Sequence, residues 1–117
     1  MALASSQVKQ MTTDLLGEIQ HEVPDDAELE AAAFGIRFLP AAYVFKWYKR
    51  FIMPHRAQVQ ARDVEFFKSM ACTSDNSEVN LVFGIIARLW PMLSDEVRKK
   101  VWVRLLVVIQ MIGRAGT

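Results

Sequence analysis

Apolar residues recur along this chain at steps of three and four, and Pro24, Pro40, Pro54 and Pro91 divide them into segments. Such spacing lines up side chains on one face of an α-helix. Val8, Met11, Leu15 and Ile19 form the first stripe and predict a helix over about 6–22. Ser5 or Ser6 is placed to cap it, since a short hydroxyl can accept from the free N–H groups of a first turn. Asp25 and Glu28 have capping-box spacing and predict Asp25 as the N-cap of a helix over about 26–38. Leu29, Ala32, Ala33 and Ile36 make its inner side, and the early acids suit the positive end of the helix dipole.

The run 41–53 is the richest in aromatic residues. At helical steps Tyr43, Val44, Phe45, Trp47, Tyr48, Phe51 and Ile52 cover an arc of about 200°. Lys46, Lys49 and Arg50 fill the other side. This is the pattern of a central helix, with Trp47, Phe51, Phe66 and Trp90 as expected core residues. Pro54 either kinks the helix or opens a new one. From 55 to 70, His55, Val59, Arg62, Phe66 and Met70 continue the helical step. The string Thr73-Ser74-Asp75-Asn76-Ser77 reads as a loop of cap and turn formers. A helix over about 77–90 buries Val79, Val82, Phe83, Ile86 and Leu89, and Pro91 ends it. Ser94 is the expected cap of a last helix running to about Ile112, with Gly113 as a left-handed terminating residue. The stretch Val101–Met111 has the β-branched content of a buried strand, but a lone strand leaves its ladder groups unpaired, so helix is the expectation.

These elements predict an all-α fold, a compact bundle of five or six helices. The 117 residues, 52% of them hydrophobic, suit a single domain over 1–117, in which 1–24 is readable as a peripheral helix. No apolar run approaches the roughly 18–20 residues of a membrane span, and the N-terminus lacks the apolar core of a signal peptide. A lone Cys72 excludes an internal disulfide framework. A soluble, intracellular protein is the expectation. The net charge of +1 hides an uneven distribution. Residues 1–36 carry seven acids and one base, and residues 37–68 carry seven bases and two acids. Either the two parts pair inside one fold or each faces a partner.

Chemistry is sparse. There is no nucleophile elbow, Walker or dinucleotide-binding pattern. Cys72 and His55 have nothing in the sequence to mark them as a nucleophile and its base. His21, His55 and Cys72 lie on three segments without the local pairs of a zinc site, and Asp25, Asp26, Glu28 and Glu30 lack the glycine and ligand alternation of a calcium loop. No enzyme activity, metal site or cofactor is therefore expected. Lys46, Lys49, Arg50, Arg56 and Arg62 form a basic stripe able to neutralise phosphates. Its interleaved rings fall on the opposite arc, where they serve the core before they serve base stacking. On the last helix, Val103, Val107 and Met111 form a second apolar stripe outside the one that fills the core side. A helix apolar nearly all round is either central or sandwiched against a partner.

Phe51-Ile52-Met53-Pro54-His55-Arg56, Arg62-Asp63 and Phe66-Phe67 form one group of matching positions. Leu89-Trp90, Leu93-Ser94, Glu96, Lys99, Val101-Trp102 and Leu105 form a second. Together they resemble short, uncharacterised helical proteins encoded by large DNA viruses. The resemblance covers about half the chain and implies no catalytic residues. It implies a virion or assembly role exercised through protein contacts. The functional expectation is a protein-interaction module, self-associating or a minor structural component of a particle, with Val103, Val107 and Met111 at its interface. The alternative is a nucleic-acid-binding accessory protein that uses the basic stripe.

Overall fold

The computed structural model of the chain describes residues 2–73 and 76–115. Seven α-helices follow one another: α1 Ala2–Glu22, α2 Ala27–Ile36, α3 Ala41–Trp47, α4 Arg56–Gln60, α5 Glu65–Thr73, α6 Ser77–Leu89 and α7 Asp95–Ala115. A π turn (Tyr48–Ile52) and a 3-10 turn (Met53–His55) join α3 to α4 without a break, and a 3-10 turn (Trp90–Met92) extends α6. The described residues thus make six continuous helical segments and no strand, the expected all-α bundle. Val101–Met111 is helical throughout.

α1 lies against α2, α3 and α7, and α5 against α6. α1 is not peripheral: Val8, Leu15, Leu16 and Ile19 are all core residues. The other core residues include Leu29, Val44, Trp47, Ile52, Phe66, Val82, Ile86 and Leu105, which come from every stripe in the sequence. Phe67 is the hub of an aromatic cluster, its ring centroid 4.8 Å from that of Trp102, 4.9 Å from Trp90 and 5.5 Å from Phe66. α5 and α6 meet at two small residues, Ala71 and Gly84; a Cβ built on Gly84 would stand in ordinary contact, 3.5 Å from the Cβ of Ala71.

Five local expectations are corrected. α1 begins at Ala2, so Ser5 and Ser6 lie inside it and cap nothing. The N-cap of α2 is Asp26, not Asp25: the helix starts one residue later, and Asp26 Oδ1 accepts from Leu29 N at 2.9 Å. The run 55–70 is broken. Arg62 has φ 53°, its N–H donates to Val59 O, and Asp63 N–H donates to Gln58 O. This pair of bonds is a Schellman motif with arginine in the left-handed position usually held by glycine. Asp63 then opens α5, its Oδ1 accepting from Glu65 N at 3.0 Å. Gly113 is not a left-handed stop, because α7 continues through it with Ile109 and Ile112 still buried. Phe51 is only half-buried, with the Arg50 guanidinium 5.2 Å from its ring centroid.

Ser94 does cap α7, its Oγ accepting from Val97 N at 3.2 Å. The N-cap of α6 is Asn76, and Ser74 and Asp75 of the expected loop lie outside the described residues. Pro54 explains the π turn. It has no N–H for the Arg50 carbonyl and its ring would crowd that oxygen. The Met53 N–H reaches back to Tyr48 O instead, which takes up the extra residue of a π turn.

Candidate interaction surfaces

α7 turns one face into the core, where Val97, Val101, Trp102, Leu105, Val108 and Ile112 are buried. The second stripe divides. Val103 is 42% exposed and Val107 is half-buried at the surface. Both line a groove of about 470 Å³ with Met11 of α1, edged by Lys99 and Lys100. Met111 does not join them; it packs against the core cluster. Of the three expected interface residues, Val103 and Val107 thus share one groove with Met11 of α1, and Met111 lies outside it. Residues 103 and 107 are one helical turn apart, but Met111 lies beyond the groove that α1 and α7 frame.

The basic stripe also divides. Lys46, Lys49 and Arg50 border a groove of about 670 Å³ with Tyr43, Trp47 and Phe51 in its wall. Arg56 and Arg62 are exposed elsewhere, Arg56 bonded to Met53 O at 3.2 Å and Arg62 on the Schellman turn. The π turn and Pro54 offset the helix face between residues 50 and 56, so a stripe continuous in sequence is split in space. The aromatic residues are mostly core: Phe45, Trp47 and Tyr48 are buried. Trp47 is 2% exposed, and its indole Nε1 has no acceptor among the described residues. A buried donor left so costs about 1–3 kcal/mol. Tyr43 meets the Trp47 ring edge-on at 6.2 Å, donates to Glu78 Oε1 at 2.6 Å and accepts from Asn76 Nδ2 at 3.3 Å.

The acids of α1 and α2 do not pair with this basic segment. Asp26 and Glu28 take the Arg88 guanidinium on α6 at 2.8 and 2.9 Å. Glu18 and Asp14 take Arg104 on α7, the Asp14 contact at 3.6 Å. The acidic first third is thus tied to the last third. Among the described residues Lys46, Lys49, Arg50, Arg56 and Arg62 make no ion pair. The Arg88 hydrogen bonds, helped by the Leu29 N–H, hold the Asp26 carboxyl down at about 2. The Ser94 N–H, donating to Glu22 Oε1 at 2.8 Å, lowers Glu22 and ties the end of α1 to the start of α7. His55 Nδ1 faces Gln58 Oε1 at 3.2 Å and Cys72 is exposed on α5. Among the described residues no group of three His, Cys, Asp or Glu is placed to hold a metal ion, and no helix is long and apolar enough to cross a membrane.

One surface was not anticipated from the sequence. Phe34 in the last turn of α2 and Phe38 just beyond it, 60% and 72% exposed, stand edge to face at 5.1 Å. The signal was present as an aromatic pair four residues apart, on the side of the helix away from Leu29, Ala32 and Ile36. No family model, curated protein or solved structure matches the chain.

Proposed function

We propose that this chain is a non-enzymatic protein-interaction module that docks its partner, a second copy or another protein, on the outer face of α7. The observation that carries the reading is the Val103–Val107–Met11 groove, an apolar strip left outside on a helix whose inner face is already filled. Exposed Phe34 and Phe38 add apolar surface that a monomer has no need to expose. Three side chains contribute a few kcal/mol at about 1.5–3 kcal/mol for each fully buried one, so flanking residues must share the contact. The resemblance to short helical proteins of large DNA viruses supports a role for such a module in a virion or at an assembly site.

Light scattering of the purified protein tests the reading in its self-associating form. Val103→Glu should leave the helical circular dichroism intact, because Val103 faces solvent, and should convert an oligomer to a monomer. A parent protein that is already monomeric at all concentrations removes self-association and leaves the partner form to capture experiments. A variant that associates as the parent does shows the strip to be ordinary surface and defeats the reading. The alternative, nucleic-acid binding through Lys46, Lys49, Arg50, Arg56 and Arg62, draws support from the absence, among the described residues, of ion pairs at these five cations. It requires an affinity that falls steeply with salt, since counterion release would drive it.

A further inference from the structure

The groove beside α3 has a character different from that of α7. Lys46, Lys49 and Arg50 sit at i, i+3 and i+4, on one side of the helix. They span about 6 Å along its axis at 1.5 Å per residue. None of the three has a carboxylate partner among the described residues, although the chain carries nearly as many acids as bases. Glu78, which follows Asn76 at the start of α6, is engaged by the Tyr43 hydroxyl. The wall holds apolar surface of Tyr43, Trp47 and Phe51, and Trp47 carries a buried N–H with no acceptor among the described residues.

We propose that this groove binds an acidic, amphipathic segment of a partner protein. An apolar side chain of the segment lies against Tyr43 and Phe51, and its carboxylates meet Lys46, Lys49 and Arg50. A carbonyl or carboxylate oxygen accepts from Trp47 Nε1. Tyr43, exposed and edge-on to the indole, is the side chain that moves to admit it. The charge of the site selects an anion, and its volume and apolar wall select something larger than a free phosphate. A nucleic-acid strand fits less well. Three cations within about 6 Å meet few phosphates. Of the ring faces in the wall, Trp47 is buried and Phe51 lies under Arg50, which leaves only Tyr43 to stack on a base where a strand would offer several. The proposal is independent of the α7 contact, because Val103 lines a different groove.

The test is a titration of the 15N-labelled full chain followed at its three tryptophan indole N–H signals. Trp47→Phe identifies the Trp47 signal. The probes are two blocked peptides of about 12 residues, half Asp and Glu, one with leucine and one with phenylalanine anchors. The controls are the same peptides with Asn and Gln for the acids, and a thymidine oligonucleotide of equal length. At least one acidic peptide should move the Trp47 signal while those of Trp90 and Trp102 stay in place. Lys46→Glu with Lys49→Glu should weaken binding by about tenfold or more, and Arg50→Gln should weaken it less. Val103→Glu should bind as the parent does, which separates this site from the α7 reading. An unmoved Trp47 signal at millimolar peptide overturns the proposal, as does equal binding of the amide controls. Tighter binding of the oligonucleotide than of either peptide replaces it with the nucleic-acid reading.

Discussion

Thr12 Oγ1 donates to the Val8 carbonyl at 3.0 Å, which uses its only proton, so in the 2.7 Å contact with Tyr48 the phenol is the donor. Burial pushes the Tyr48 hydroxyl up to about 12. The unfolded chain loses that proton near pH 10 and the folded one does not. Tyr48 thus adds stability that is complete below pH 10 and is lost as pH rises toward about 12. Tyr48→Phe should cost about 1 kcal/mol at neutral pH, the net worth of one hydrogen bond. Urea unfolding at rising pH should then show a shallower alkaline decline in the variant; parallel declines count against the buried phenol. Asp26 works in the opposite sense. Its carboxyl is held at about 2 by Arg88, so the unfolded state binds the more protons below about pH 4. The stability it adds is present above pH 4 and disappears as pH falls toward 2. Asp26→Asn should remove that part of the acid transition, and an acid midpoint identical to the parent's would contradict it.

At the scale of the element, the joint between α4 and α5 is the informative case. Arg62 occupies the left-handed region, which costs an L-residue with a side chain about 1–2 kcal/mol. Glycine removes that cost but adds backbone freedom to the unfolded chain. Arg62→Gly should therefore leave stability unchanged or raise it by up to about 1 kcal/mol, whereas Arg62→Val should lower it by more than that. A loss in the glycine variant equal to that in the valine variant would mean that the arginine side chain, not the backbone, matters here. Its periodic neighbours Val59, Phe66 and Met70 are all buried, so the apolar step of a single helix was real. Two shorter helices satisfy it because the turn between them redirects the chain without losing the stripe.

The whole molecule is held by an aromatic cluster that joins α5, α6 and α7. Phe67 contacts Trp90 and Trp102, and Phe66 meets Phe83 at 5.7 Å. Phe67→Ala should cost about 3–5 kcal/mol, a large part of the 5–15 kcal/mol of an ordinary domain. Near-ultraviolet dichroism should lose the tryptophan signal at lower urea than in the parent. A cost under about 1.5 kcal/mol would show that the cluster relaxes around the gap. At this scale the charges are also settled. Arg88 and Arg104 draw the acids of the first 36 residues to the last third of the chain and leave the basic middle facing outward.

Apart from the break at Arg62, the helices, the Ser94 cap and the inner face of every stripe were legible in the sequence, because they follow from rules that act within a turn or two of chain. Val79, Val82, Phe83, Ile86 and Leu89 are all buried as their spacing requires. The shift of the α2 cap from Asp25 to Asp26 is an error of one residue, the ordinary precision of such rules. The flanks of the stripes were not legible. Met111 packs on the core and Val103, two turns earlier, does not, a difference that the spacing of the stripe does not carry. The groove that gathers Tyr43, Trp47 and Asn76 joins residues from α3 and from the cap of α6. The bonds from Arg88 to Asp26 and from Arg104 to Glu18 join residues 62 and 86 positions apart. Periodicity assigns each side chain an angle on its own helix. Whether that angle meets another helix, a countercharge or water depends on neighbours from remote parts of the chain, and only the tertiary structure supplies them.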